Sequence, residues 1–313
     1  MTGANGLPDK NPRAELETTL CGVRLKNPLI AASGTFGFGR EFDELYDISC
    51  WGGISVKGLT LNPRLGNPPR RIAETASGML NSVGLQNPGV DAFIKDELPW
   101  LAAKGTAVIA NIAGATEDEY AEVARRLSDT AVDIVELNIS CPNVKEGGIQ
   151  FGTTPHRAGA VTAAVRKTCR QPLMVKLSPN VSDIAAIARA AEESGADAIS
   201  LINTLAGMAI DTRRREPVLA NVTGGLSGPA IKPVALRMVY ETAMAVHLPV
   251  VGMGGIMTGE DAVQFMTAGA SAVMVGTANV VDPFSGPRIL AELEQYVADN
   301  DIGDLTALVG SIK

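Results

Sequence analysis

Cys141 sits in the run Glu136-Leu137-Asn138-Ile139-Ser140-Cys141-Pro142-Asn143-Val144-Lys145, where an apolar segment breaks into a turn carrying amides, a thiol and a lysine. A strand that ends in a polar cluster is how a parallel α/β sheet delivers chemistry to its carboxyl edge. Asn138 and Ser140 alternate with Leu137 and Ile139, so one face of the strand is polar just before the chain leaves the sheet. Pro142 fixes the loop, and the two flanking asparagines can hold a planar, polar ligand. An isolated cysteine is most often a small buried hydrophobe. This one follows a strand directly and has Gly147-Gly148 close behind, which argues for a base or nucleophile near solvent. An ordinary thiol pKa of about 8.5 leaves roughly one in ten ionised near pH 7.5, and a cation such as Lys57 would raise that share. Cys21, Cys50 and Cys169 lack such surroundings and read as structural.

Further polar residues collect at other strand ends. Val56-Lys57-Gly58 and Val175-Lys176-Leu177 each place a lysine between apolar neighbours, where burial calls for an anionic partner or an electron-rich ring. Asn111, Asn138 and Asn203 stand at three more ends. Asparagine is depleted in strands, and three amides offering donors and acceptors suit an imide, amide or carboxylate edge. Helix capping is the competing role for any one of them. Gly252-Met253-Gly254-Gly255 and Gly276-Thr277 expose backbone N–H groups beside helix starts, which suits a phosphate, and Gly224-Gly225-Leu226-Ser227-Gly228 offers a third such contact. The histidines, His156 and His247, open and close helical patterns, so neither a Ser-His-Asp nor a metal-hydrolase mechanism is supported. Arg213-Arg214-Arg215 reads as a solvated patch.

The elements that must position these residues are short apolar strands at 29–32, 54–57, 107–112, 133–139, 173–177, 198–202, 250–253 and 272–275. Helical patterns separate them at 117–128, 155–168, 181–194, 229–246, 259–267 and 287–298. Eight strands with crossover-length connections predict a (β/α)₈ barrel, with a doubly wound open sheet as the competing fold. Alternation around Cys21-Gly22 predicts a small hairpin near the N-terminus. Segments 60–86 and 204–227 are too long for simple loops and read as active-site insertions. Residues 1–13 read as a flexible leader and 14–313 as one barrel domain.

Hydrophobic residues make up 46% of the 313 and aromatics only 4%, so the core is Ala, Val, Ile and Leu, as layered α/β packing requires. Against 34 acidic residues the 27 basic ones leave a net charge of −7 and no basic stripe, which removes electrostatic support for nucleic-acid binding. The N-terminus lacks the apolar stretch of a signal peptide, and no run of 18 or more apolar residues predicts a membrane span. Four scattered cysteines without a Cys-x-x-Cys pair fit a reduced, cytoplasmic protein with neither structural zinc nor a protein-held iron–sulfur cluster.

Four motifs together resemble the class 1 dihydroorotate dehydrogenases of pyrimidine biosynthesis, over nearly the whole chain from about Glu15. They are Ser55-Val56-Lys57-Gly58, Asn81-Ser82-Val83-Gly84-Leu85-Gln86-Asn87-Pro88-Gly89, Asn138-Ile139-Ser140-Cys141-Pro142-Asn143 and Asn203-Thr204. The resemblance implies a (β/α)₈ barrel with FMN above the carboxyl ends of its strands. It implies Cys141 as the base that takes the C5 proton of dihydroorotate while hydride passes from C6 to the flavin, with Lys57 assisting. Lys57, Asn81, Ser82, Val83, Gly84, Leu85, Asn138, Asn143, Asn203 and Thr204 would hold the substrate. Ser33, Lys57, Gly58, Asn111, Asn138, Lys176, Ile202, Gly228, Gly254, Gly255, Gly276 and Thr277 would contact FMN. The loop from Cys141 to Gly148 with Phe151-Gly152, and the turn Asn111-Ile112-Ala113-Gly114, resemble class 1B. In that class a homodimer sits within a heterotetramer, and electrons pass to NAD⁺ through a partner subunit holding FAD and a 2Fe–2S cluster. Val83 departs from class 1A, which usually has Met there. Other readings stay open: a fumarate-dependent class 1A enzyme, a dihydropyrimidine dehydrogenase-like FMN barrel, and a phosphate-binding barrel lyase or isomerase without flavin.

Overall fold

Eight short strands, nearly all of their residues buried, follow one another through the chain. They are β1 (Leu29–Ala31), β2 (Gly53–Ser55), β3 (Ala107–Ile112), β4 (Ile134–Asn138), β5 (Leu173–Lys176), β6 (Ala198–Leu201), β7 (Val250–Met253) and β8 (Ala270–Val275). In a computed structural model, which describes residues 16–140 and 150–313, every neighbouring pair is parallel. The sheet closes in the order β6-β7-β8-β1-β2-β3-β4-β5, with β5 pairing back to β6. The closed barrel, rather than the open doubly wound sheet, is therefore the fold. The leader call for 1–13 lies outside the described residues.

Strand alternation divides the core in two. One set of side chains, including Leu29, Ile54, Val108, Val135, Val175 and Ile199, faces the surrounding helices. The other, including Ile30, Ile109, Ile134, Met174, Ala198 and Val251, fills the barrel interior. The helices start on capping side chains: Thr116 caps Glu117–Leu127, Thr154 caps Pro155–Arg166, and Asp183 caps Ile184–Glu193. Thr258 and Asp261 form a reciprocal capping box at Gly259–Thr267.

The predicted hairpin is present. Thr18–Leu20 pairs with Val23–Leu25 across Cys21 (φ 50°) and Gly22 (φ 80°), the two positive φ angles of a type I′ turn. Leu20 and Leu25 are fully buried in the interior cluster, so the hairpin plugs the amino-terminal mouth of the barrel. The other mouth is left to the insertions, and these are built as sheet rather than loop. Ile72–Thr75 and Gly78–Asn81 from the first join Thr223–Ser227 and Leu205–Met208 from the second in one four-stranded antiparallel sheet. Segments more than a hundred residues apart in sequence thereby form a single wall beside the carboxyl ends of the strands.

Candidate active site

A cavity of about 220 Å³ opens at those carboxyl ends. Ser33 follows β1, Lys57 and Gly58 follow β2, Asn111 lies in β3, and Asn138 and Lys176 end β4 and β5. Ile202, Asn203 and Thr204 follow β6, Gly254 and Gly255 follow β7, and Gly276 and Thr277 follow β8. Gly228, at the end of the second insertion, completes the rim, and Asn81, Val83, Gly84 and Leu85 supply the wall on the side of the first. Every catalytic, substrate or FMN residue that the resemblance implies lines this one space except three, while Gly252, Gly224, Gly225 and Leu226 of the glycine motifs do not. Cys141 and Asn143 lie outside the described residues. Ser82 is fully buried and does not line the cavity; Asn81 and Val83, its neighbours along the extended segment, do. Its backbone anchors the loop instead: its N–H donates to the Arg71 carbonyl at 2.7 Å, and its carbonyl accepts from Asn67 Nδ2 at 3.0 Å.

Lys176 is only 5% exposed, and its Nζ lies 3.4 Å from Ser33 Oγ. Lys57 is half-buried, and its backbone N–H is tied to the Gly37 carbonyl at 3.0 Å. Two lysines thus line one cavity from strands separated by β3 and β4. The amides are tied to one another rather than to helix ends. Asn138 Nδ2 donates to Asn111 Oδ1 at 3.2 Å, and Asn203 Nδ2 donates to Ser140 Oγ at 2.8 Å.

The glycine turns meet at the opposite side. Gly228 (φ 99°) and Gly255 (φ 79°) lie so close that a Cβ on Gly255 would stand 2.8 Å from the Gly228 carbonyl oxygen. The helix Lys232–Ala243 begins directly beyond, and Lys232 Nζ pairs with Asp261 at 2.5 Å, locking this turn to the helix after β7. Thr277 Oγ1 donates to Ser227 Oγ at 2.9 Å, joining the turn after β8 to the insertion sheet.

Three residues that position the site were given no role from the sequence. Asn87 accepts from the N–H groups of Thr60 and Gly89 and donates to the Leu85 carbonyl at 2.7 Å, riveting the 81–85 loop. Asn180 donates to the Thr204 carbonyl at 3.0 Å and accepts from the Ala206 N–H at 2.9 Å. Glu136, fully buried inside the barrel, accepts from Ser55, Ser200 and Asn111. Its signal was visible: an acidic residue in an apolar strand needs dedicated partners.

The other cysteines are poor nucleophiles. Burial pushes the Cys21 thiol up to about 12, with Asp197 adding to the effect, and pushes Cys50 and Cys169 up to about 11. His156 and His247 are exposed and outside the cavity. Among the described residues no group of three or more His, Cys, Asp or Glu could hold a metal, and no helix is long and apolar enough to cross a membrane.

The family model for dihydroorotate dehydrogenase matches residues 15–297. The catalytic subunit of dihydroorotate dehydrogenase B (NAD⁺) from Alkaliphilus oremlandii is 56% identical over 300 residues, covering 96% of this chain and 99% of that one. The protein of the same name from Citrifermentans bemidjiense is 55% identical over 302 residues, again covering 96% and 99%. A crystal structure of the Eimeria tenella dihydroorotate dehydrogenase with ferulenol superposes with a TM-score of 0.80 over 97% of this chain and 91% of that one. At 24% identity it speaks for the fold.

Proposed function

Because this chain belongs to the dihydroorotate dehydrogenase family, we propose that it oxidises dihydroorotate to orotate and passes the electrons to NAD⁺ through a partner subunit. The observation that carries this reading is the convergence of two lysines, four asparagines and three glycine turns on one cavity at the strand ends. The donor set fits FMN. Gly228 and Gly255 form a turn that a Cβ would fill, leaving backbone N–H groups for a phosphate, while Lys57, Lys176 and the amides present donors to an electron-rich ring system.

When bound, FMN supplies the acceptor for the hydride leaving C6 of the substrate. The chain's own residues do the rest. Cys141 takes the C5 proton onto its Sγ, the role its loop position and the family resemblance give it. Asn81, Asn138, Asn203 and Thr204 orient the pyrimidine edges and the carboxylate, with Asn143 completing the set. Lys57 and Lys176, both lining the cavity, would balance negative charge on the bound ring. The relatives are named catalytic subunits, which supports a second subunit here; that it carries FAD and a 2Fe–2S cluster, in a heterotetramer built on a homodimer, rests on the class 1B resemblance of the Cys141–Gly148 loop.

Anaerobic mixing of the FMN-loaded chain with dihydroorotate tests the reading. Flavin absorbance should bleach and should not return on adding fumarate, nor on adding NAD⁺ until the partner subunit is present. Recovery with fumarate alone would overturn the NAD⁺ assignment, and a flavin that never bleaches would overturn the substrate.

A further inference from the structure

Glu136 lies one layer beneath the cavity, in β4, two residues before Asn138 and at the register position of Asn111 in β3 and Met174 in β5. It is fully buried and does not line the cavity. Its Oε2 accepts from Asn111 Nδ2 at 2.6 Å and from Ser55 Oγ at 2.8 Å, and its Oε1 accepts from Ser200 Oγ at 2.7 Å. Three strands besides its own therefore hold this one carboxylate at the barrel axis.

The bonds above it run in one direction. The Thr204 N–H donates to Asn203 Oδ1 at 2.7 Å, and Asn203 Nδ2 donates to Ser140 Oγ. Ser140 Oγ and the Ser140 N–H both donate to Asn138 Oδ1, at 3.0 and 3.2 Å. Asn138 Nδ2 donates to Asn111 Oδ1, and Asn111 Nδ2 donates to Glu136. A backbone N–H can only donate, so Thr204 and Ser140 fix the polarity at the upper end. Nothing but Glu136 fixes it at the lower end. Each amide uses one N–H in the chain and keeps a second, so all three present donors to whatever fills the cavity they line.

We infer that Glu136 is a positioning residue: as the terminal acceptor it holds Asn111, whose Oδ1 receives the bond from Asn138, with the second Asn111 N–H toward the cofactor. Without that acceptor the Asn111 NH₂ has no partner below. Turning the amide over would set its NH₂ against that of Asn138. Either outcome removes a donor from the floor. The inference rests on the FMN reading of the cavity.

Three variants test it, with the FMN dissociation constant of the reconstituted protein as the readout and the melting temperature of the apoprotein as the check on folding. Glu136→Gln keeps an oxygen for Asn111, because the Ser200 hydroxyl can turn to accept from the new NH₂, and should hold FMN within about threefold of wild type. Glu136→Leu removes the acceptor at similar size and should weaken FMN at least tenfold. Ser55→Ala with Ser200→Ala leaves the carboxylate but frees its orientation. It should weaken FMN about three- to tenfold, and it decides the matter if the leucine variant fails to fold. Wild-type affinity in the folded leucine variant, wild-type affinity in the double-serine variant, or an equal loss in Glu136→Gln and Glu136→Leu would each overturn the inference. Wild-type protein that takes up no FMN would instead refute the cofactor reading, and Glu136 would then be judged from orotate binding by calorimetry in the same three variants.

Discussion

Gly255→Ala puts the proposed phosphate turn under a calculable load. The residue sits at φ 79°, in the left-handed region, where a Cβ costs about 1–2 kcal/mol. The added carbon would also stand 2.8 Å from the Gly228 carbonyl oxygen, 2.8 Å from Lys232 Cβ and 3.1 Å from the Lys232 backbone nitrogen. Two of those three are main-chain atoms, so relief requires the turn or the helix start to move, and forced repacking of this kind costs about 1–3 kcal/mol. The combined load of about 2–5 kcal/mol should lower the melting temperature by about 4–10 °C, at roughly 2 °C per kcal/mol for a chain of this size. Where the free turn relaxes away from the clash, ligand binding must restore it, and about 1.4 kcal/mol of restored strain is tenfold in Kd. Differential scanning fluorimetry and FMN titration of the apoprotein measure the two effects. Gly276→Ala is the control within the same glycine cluster: its φ is −113° and its nearest neighbour, Ala32 Cβ, would be 3.6 Å away. That variant should melt within about 2 °C of wild type, ordinary van der Waals contact carrying little strain. A Gly255→Ala protein with wild-type melting and FMN affinity, or a Gly276→Ala protein just as damaged, would refute the reasoning.

Leu20→Ala empties the plug at the far end of the barrel, where Leu20 is fully buried, and should cost about 2–5 kcal/mol while leaving the KM for dihydroorotate unchanged; unaltered denaturant unfolding would sink the plug. Burial raises the Asp261 carboxyl, but the bond from Lys232 and the Met257 and Thr258 N–H groups prevail and hold it below the usual carboxylate range. A depressed pKa contributes stability above the unfolded value, near 4, and loses it as pH falls through the folded value, so Asp261→Asn should cost about 1–3 kcal/mol at pH 7 and progressively less below pH 4. Urea unfolding at pH 7 and pH 3 checks the sign, and an undiminished gap at pH 3 contradicts it. With the Cys21, Cys50 and Cys169 thiols at about 12, 11 and 11, iodoacetamide at pH 8 should modify one cysteine quickly and none in Cys141→Ala. Rapid labelling of that variant, followed by mass spectrometry, would show another thiol to be reactive.

The barrel was legible because the strands are short and apolar, and several are followed by a helix with its own start signal, at Thr116, Thr154, Asp183 and Thr258. The 107–112 and 250–253 strands were placed to the residue, and the others within two at each end. Most of the candidate site was legible for a related reason. Lysine, asparagine and paired glycines are unusual at strand ends, so each is conspicuous in one dimension even though the cavity they share exists only in three. Strand count alone did not separate the closed barrel from the open sheet, since the return of β8 to β1 is a long-range contact that no local pattern encodes.

The insertions hid their structure more thoroughly. Gly78–Asn81 and Thr223–Ser227 carry glycines at positions 78, 224 and 225, which reads as loop by propensity, yet they are the two central strands of the wall. The glycines are there because neighbouring atoms come too close for a side chain: a Cβ on Gly225 would meet the Thr204 side chain, Oγ1 at 1.9 Å, and one on Gly78 would meet the Ser227 carbonyl oxygen at 2.0 Å. A composition that weakens a strand locally is what lets Thr204 stand against the sheet and face the cavity. The same logic separates Ser82 from its motif. Within one five-residue loop, extended geometry sends Asn81 and Val83 to the cavity and leaves Ser82 to tie the backbone to Arg71 and Asn67. A shared motif names the segment that borders the cavity, and the pleat decides which of its residues line it.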